Sequence, residues 1–86
     1  MRPLDKVIDA TLKLVPNDFS KKDELTVTLE SIKESYLFAA PEMHNAWWFQ
    51  FSKTLNSTFG EPDTDWKNEI IALVSGTKDY QEILDA

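Results

Sequence analysis

Residues 41–59, PEMHNAWWFQFSKTLNSTF, hold two of the three tryptophans and three of the five phenylalanines of the chain. The stretch has the limits of a helix, because Pro41 suits a first turn that needs no backbone N–H and Gly60 suits the position after the last turn. At about 100° per residue, the apolar residues of one broad face are Met43, Trp47, Trp48, Phe51, Leu55 and Phe59. We therefore predict a helix over Pro41–Phe59 and expect it to be the central helix of the fold.

Phe49 lies outside this apolar face. It points nearly opposite to it, among polar residues that include Asn45, Lys53 and Asn56. The aromatic residues thus span well over half of the helix circumference, whereas a peripheral helix buries a stripe only about 100° wide. Either neighbouring helices pack on several sides of this helix, or part of the aromatic surface is exposed as a contact patch.

The segment before this helix predicts two more helices. Apolar residues between Leu4 and Val15 recur at i, i+3, i+4, i+7, i+8 and i+11, which is typical of helix 1, and Pro16 ends it. Helix 2 is predicted from about Lys21 to Tyr36 or beyond, with Ser20 as its N-cap. The residues of its apolar side are Leu25, Leu29, Ile32 and Tyr36.

Two parts of helix 2 allow a second interpretation. Residues 25–29 alternate between apolar and polar side chains, as a half-buried strand does, but the chain offers no second alternating segment and no tight hairpin turn. We therefore favour a helix there. Residues 36–40 are continuously apolar, which predicts either a helix end buried on all sides or an extended link into Pro41.

The segment after Gly60 predicts a fourth helix and a short fifth one. Pro62 and three acidic residues mark a helix start with Asp63 or Thr64 as the cap, and Gly76 marks its end. The inward stripe consists of Trp66, Ile70, Leu73 and Val74, with Ile71 at its edge. Thr77 is predicted to cap a last helix over residues 78–85. The predicted fold is all-α: a single domain over residues 1–86, built as a small four- to five-helix bundle or orthogonal array with antiparallel neighbours.

Composition restricts the class of protein. The 86 residues are 42% hydrophobic and contain no cysteine, so neither disulfides nor thiolate metal sites stabilise the chain. Charged residues from Asp5 to Lys13 interrupt the apolar pattern of the N-terminal segment, which is unlike the apolar region of a signal peptide. We expect a cytoplasmic protein.

The net charge of −6 is concentrated in the last third of the chain. Residues 1–60 carry 8 acids and 7 bases, a net charge of −1, whereas residues 61–86 carry 7 acids and 2 bases, a net charge of −5. Such a field repels nucleic acid and anionic membranes and attracts a basic partner. The same acids also serve solubility and helix capping.

The sequence contains no recognisable catalytic or metal-binding motif. His44 is the only histidine and has no cysteine partner, and no serine lies in a G-x-S-x-G context. The acids Asp63, Asp65 and Glu69 lack the glycine and the final glutamate of a calcium-binding loop. We expect no catalytic, cofactor-binding or metal-ligating residues.

These features favour a small acidic protein-binding module, such as an inhibitor, an immunity-type protein or an adaptor. The expected partner is a protein with a basic surface, and the acids steer its approach while buried aromatics slow its dissociation. The predicted partner-binding residues are Trp47, Trp48, Phe49, Lys53, Glu61, Asp63 and Asp65. The alternative is a structural protein that forms a homodimer through the aromatic helix. A variant of the first hypothesis is a nucleic-acid mimic, in which the acids replace phosphates.

Overall fold

A computed structural model describes residues 2–86, and helices are the only regular secondary structure within that range. The helices are α1 (Leu4–Leu14), α2 (Lys22–Phe38), a single 3-10 turn (Pro41–Met43), α3 (His44–Phe59), α4 (Asp65–Ser75) and α5 (Tyr80–Leu84). This confirms the all-α prediction. None of these helices is long and apolar enough to cross a membrane.

Helix α1, and not α3, is the centre of the fold. Its residues Leu4, Val7 and Ile8 are completely buried, and it packs against α2, α4 and α5. Helix α3 packs mainly against α2 and buries only Phe51 and Leu55 fully. The prediction of α3 as the central helix is therefore wrong. Helix α3 is therefore peripheral, and of its aromatic rings only that of Phe49 is exposed.

Helix α2 follows its predicted apolar side and excludes the strand alternative. Residues 25–29 are helical, and the hydroxyls of Thr26 and Thr28 donate to the carbonyls of Lys22 and Glu24 one turn earlier. Through these bonds the hydroxyl of each threonine has an acceptor within the helix, which accommodates these two β-branched residues there. All four residues predicted to face inward are buried: Leu25, Leu29, Ile32 and Tyr36.

An ion pair joins α2 to the central helix. The Lys33 ammonium donates to the Asp9 carboxylate at 2.8 Å. This hydrogen bond and the charge of Asp9 raise the pKa of Lys33 above its usual value of 10.5, against a smaller opposing effect of burial. The pair is about one-third exposed, so its contribution to the free energy of unfolding is small.

The end of α2 differs from both sequence interpretations. The helix continues to Phe38, but Leu37 and Phe38 are exposed and not buried on all sides. The extended link is limited to Ala39 and Ala40, which lead into the 3-10 turn. Met43 lies in that turn and is 49% exposed, so it does not join the apolar face predicted for it.

Two predicted caps are wrong. Ser20 lies in a turn before α2, where the backbone N–H of Lys22 already bonds the carbonyl of Phe19, and Lys21 occupies the N-cap position. Helix α5 begins two residues later than predicted, because the Asp79 carboxylate and not Thr77 accepts from the N–H of Gln81 at 3.1 Å. A carboxylate is as effective a cap as a hydroxyl.

The predicted helix ends at the two glycines are confirmed. Helix α3 ends at Phe59 and α4 ends at Ser75, and both following glycines have positive φ angles. Thr64 occupies the N-cap position of α4, but neither its side chain nor that of Asp63 caps the helix.

Candidate functional site

Phe49 is exposed on the outer surface of α3. Its side chain is 68% exposed, whereas Phe51, two residues later, is completely buried. Phe49 and Asn56 are seven residues apart and therefore lie on the same side of the helix, two turns from each other. An exposed aromatic ring of this kind is available as an anchor for a partner protein.

The two predicted tryptophan anchors are largely engaged within the fold. Trp47 and Trp48 are partly buried against the core. The Trp48 ring packs edge-on against Phe51 with 6.0 Å between ring centroids, and the Arg2 guanidinium lies 5.1 Å from its centroid. Its indole nitrogen is buried without a hydrogen-bond partner among the described residues. That Trp47 and Trp48 bind a partner stays a prediction. Of the three aromatic residues predicted to bind a partner, Phe49 is the one whose ring is exposed.

The turn between α3 and α4 presents the predicted acidic residues. Glu61, Asp63 and Asp65 are exposed, as is Lys53 on α3. Lys67 donates to the Asp63 carboxylate at 3.0 Å and to the carbonyl of Phe59 at 3.0 Å. Within residues 2–86, Glu61 and Asp65 make no ion pair, so their charges are available to a partner.

The hydrogen bond from Lys67 changes the pKa of Asp63. This hydrogen bond, and then the charge of Lys67, lower the pKa of Asp63 below its usual value of 3.8. The contribution of Asp63 to stability is therefore present above pH 3.8 and is lost as the pH falls through the lowered pKa. An NMR titration of the side-chain carboxyl carbons should show this pKa, and in Lys67→Met the pKa should return towards 3.8. An unchanged pKa in that variant would show that the ion pair does not form in solution.

An open apolar groove lies between α3 and α4. Its volume is about 300 Å³, and its apolar lining consists of Leu55, Phe59, Pro62, Ile70, Ile71 and Val74. Lys67 lies at the edge of the groove with only 13% of its side chain exposed, because it is bonded to the acidic turn. Ile71 is 51% exposed there. Sequence reasoning missed this groove, although Ile71 at the edge of the inward stripe was the signal for it.

A second apolar cluster lies at the corner between α2 and α3. It consists of Leu37, Phe38 and Met43, which are 56%, 85% and 49% exposed. Phe38 is the most exposed large apolar side chain among those of the described residues. This cluster lies at the N-terminal end of α3, whereas the groove lies along its C-terminal half.

His44, at the start of α3, packs on Tyr36, with 4.3 Å between the two ring centroids. Within residues 2–86, no three His, Cys, Asp or Glu side chains come close enough to hold a metal ion together.

Comparisons with known proteins give no match to a protein-family model, to a curated protein or to a solved structure. A function for this chain therefore has to be inferred from its own surface.

Proposed function

We propose that this protein is a small, non-enzymatic, cytoplasmic protein-binding module that acts by covering a basic surface of its partner. An inhibitor, an immunity-type protein and an adaptor all act in this way. The observation that carries the proposal is the combination of exposed Phe49, the open groove along the same helix, and the exposed carboxylate of Glu61, which lies between the groove residues Gly60 and Pro62.

Charge and apolar area have separate roles in this mechanism. The net charge of −5 in residues 61–86 accelerates the approach of a basic surface, and this effect weakens as salt increases. Phe49 then loses contact with water in the complex, which slows dissociation. Occlusion needs no chemical step, in agreement with the absence of a catalytic motif in the sequence.

Replacing Phe49 by alanine should weaken partner binding at least tenfold, because truncating a central aromatic contact costs more than about 1.4 kcal/mol of binding free energy. The measurement is quantitative affinity capture from cell extract with immobilised protein, followed by titration of the captured partner. Phe38→Ala is the matched control, since it removes a ring that is even more exposed, 85% against 68%, from the other apolar cluster. The proposal fails if Phe49→Ala and the double variant Glu61→Lys, Asp65→Lys both retain the affinity of the wild type.

Self-association is the second candidate function. The observation that favours it is the cluster of Leu37, Phe38 and Met43, which could meet its copy across a two-fold axis. Light scattering after size-exclusion chromatography distinguishes the two candidates. A dimer that is lost in Phe38→Ser would favour assembly, whereas a monomer at all concentrations would leave the protein-binding module as the function.

A further inference from the structure

The walls of the α3–α4 groove have the spacing of surfaces that receive another helix. On α3 the lining residues recur at i, i+3, i+4 and i+7 from Ser52 to Phe59, and on α4 they recur at the same spacing from Lys67 to Val74. Residues at these intervals lie on one face of a helix, and two such faces side by side form a groove into which the side chains of a third helix can pack. In residues 2–86, no helix of the chain fills this position.

The dimensions of the groove fit a short helical segment. Seven residues of α3 extend over about 10 Å at 1.5 Å per residue, which equals two helical turns of an occupant. Residues 2–86 contain no strand, so there is no sheet edge onto which a partner strand could add. Insertion of an amphipathic helix is the recognition mode that matches an apolar groove between two helices.

Charge decides which helix fits. The one cation that lines the groove, Lys67, is already bonded to Asp63 and to the carbonyl of Phe59. Glu61 lies between the groove residues Gly60 and Pro62, and its carboxylate is exposed and makes no ion pair within the described residues. Asp65 lies on the other side of α4, beside Asn68 and Glu69. A partner helix with acids next to Glu61 would be repelled, whereas lysine or arginine there would meet an unneutralised carboxylate.

We infer that the α3–α4 groove binds an amphipathic helix of the partner protein, about two turns long, with basic residues at the end next to Glu61. The apolar side chains of that helix lie on Ile71, Phe59 and Val74, which line the groove and are not fully buried. Phe49 lies further along the same side of α3 and covers the other end of the bound helix. This inference rests on the proposed function, because it specifies the partner for that surface.

The inference is tested with a phage-displayed library of random 16-residue peptides, selected on the immobilised full chain. Enriched peptides are synthesised, and their dissociation constants are measured by fluorescence anisotropy for the wild type, Ile71→Asp and Val27→Asp. Val27 is the matched control, because it is also an exposed β-branched residue on a helix but lies on the outer side of α2, away from the groove. Circular dichroism of each variant verifies that the helices are retained.

We expect enriched peptides with apolar residues at i, i+3, i+4 and i+7, a positive charge at one end, and a gain of helicity on binding. Ile71→Asp should weaken their binding at least tenfold, and Val27→Asp should change it less than twofold. The variant Glu61→Lys should weaken binding of the same peptides and reduce its salt dependence, whereas Asp65→Lys, on the other side of α4, should have a smaller effect. The inference is wrong if no peptide is enriched, if the enriched peptides are acidic or bind in an extended conformation, or if Ile71→Asp leaves their affinity unchanged.

The peptide selection tests the helix inference and the capture experiment tests the proposed function, and either can give a negative result without the other. A partner that depends on Phe49 but binds equally well to Ile71→Asp would overturn the helix inference and leave the proposed function in place. Peptides that depend on Ile71, without any partner that depends on Phe49, would support the groove as a helix site and contradict the proposed function.

Discussion

Replacing Phe51 by alanine is expected to lower the free energy of unfolding by about 3–5 kcal/mol, the largest effect of any single change considered for this chain. Phe51 is completely buried and packs edge-on against Trp48, so truncation removes a ring from the core and leaves a cavity. A domain of this size has a total stability of about 4–13 kcal/mol, so this loss is a large fraction of the total. Urea denaturation followed by circular dichroism measures the change.

Phe49 provides the matched control for Phe51, since the same substitution two residues earlier removes a ring that is 68% exposed. Phe49→Ala should change the free energy of unfolding by no more than about 0.5 kcal/mol. If Phe49→Ala destabilises the protein as strongly as Phe51→Ala, then Phe49 packs against the fold and cannot be a free contact residue.

The sequence predicted the helices well because each has a regular apolar stripe. The apolar residues of α2, which are Leu25, Leu29, Ile32 and Tyr36, repeat at helical spacing over about three turns, and this outweighs the strand-like alternation of residues 25–29. An isolated alternating segment has no partner with which to form a sheet. The glycines after α3 and α4 were equally informative, because a positive φ angle is easily adopted only by glycine.

Which helix is central could not be predicted, because a helical wheel gives the direction of each side chain but not the number of neighbours on that side. Aromatic content suggested α3, but the smaller side chains of α1, including Ala10 and Thr11, allow three helices to approach it closely. The N-cap residues of α2 and α5 were predicted wrongly for a similar reason. Several polar residues near a helix start can serve, and the path of the turn selects among them.

The candidate site was predicted only in part. The deviation of Phe49 from the apolar face of its helix was visible in the sequence, and so was the acidic segment after Gly60. The groove was not, because it arises from the angle between α3 and α4 and no single helix contains it. The exposed side chain of Ile71 indicates a groove only when Leu55 and Phe59 of α3 are known to lie opposite to it.

The role of Arg2 was also invisible in the sequence, because its contacts lie more than forty residues away. Its guanidinium donates to the carbonyls of Leu73 and Val74 in the last turn of α4 and lies 5.1 Å from the centroid of the Trp48 ring. The last carbonyls of a helix have no partner within the helix, and a cation there also interacts favourably with the helix dipole. Arg2 thus connects the start of the chain to α3 and α4 at once, beside Gly76.

Arg2→Ala should lower the free energy of unfolding by about 2 kcal/mol, because it removes two hydrogen bonds from a charged donor and a cation–π contact. The loss should be greatest in α4, so amide hydrogen exchange should accelerate at residues 70–75 more than in α2. Arg2→Lys is the appropriate control: lysine retains the charge but lacks the planar fork that reaches two carbonyls, and it should restore less than half of the loss. Full restoration by lysine would show that charge alone stabilises this corner, and an unchanged Arg2→Ala would show that the contacts do not form in solution. If α4 does loosen in Arg2→Ala, the groove loses one of its walls, and affinity for a helical peptide should decrease although no groove residue has been changed.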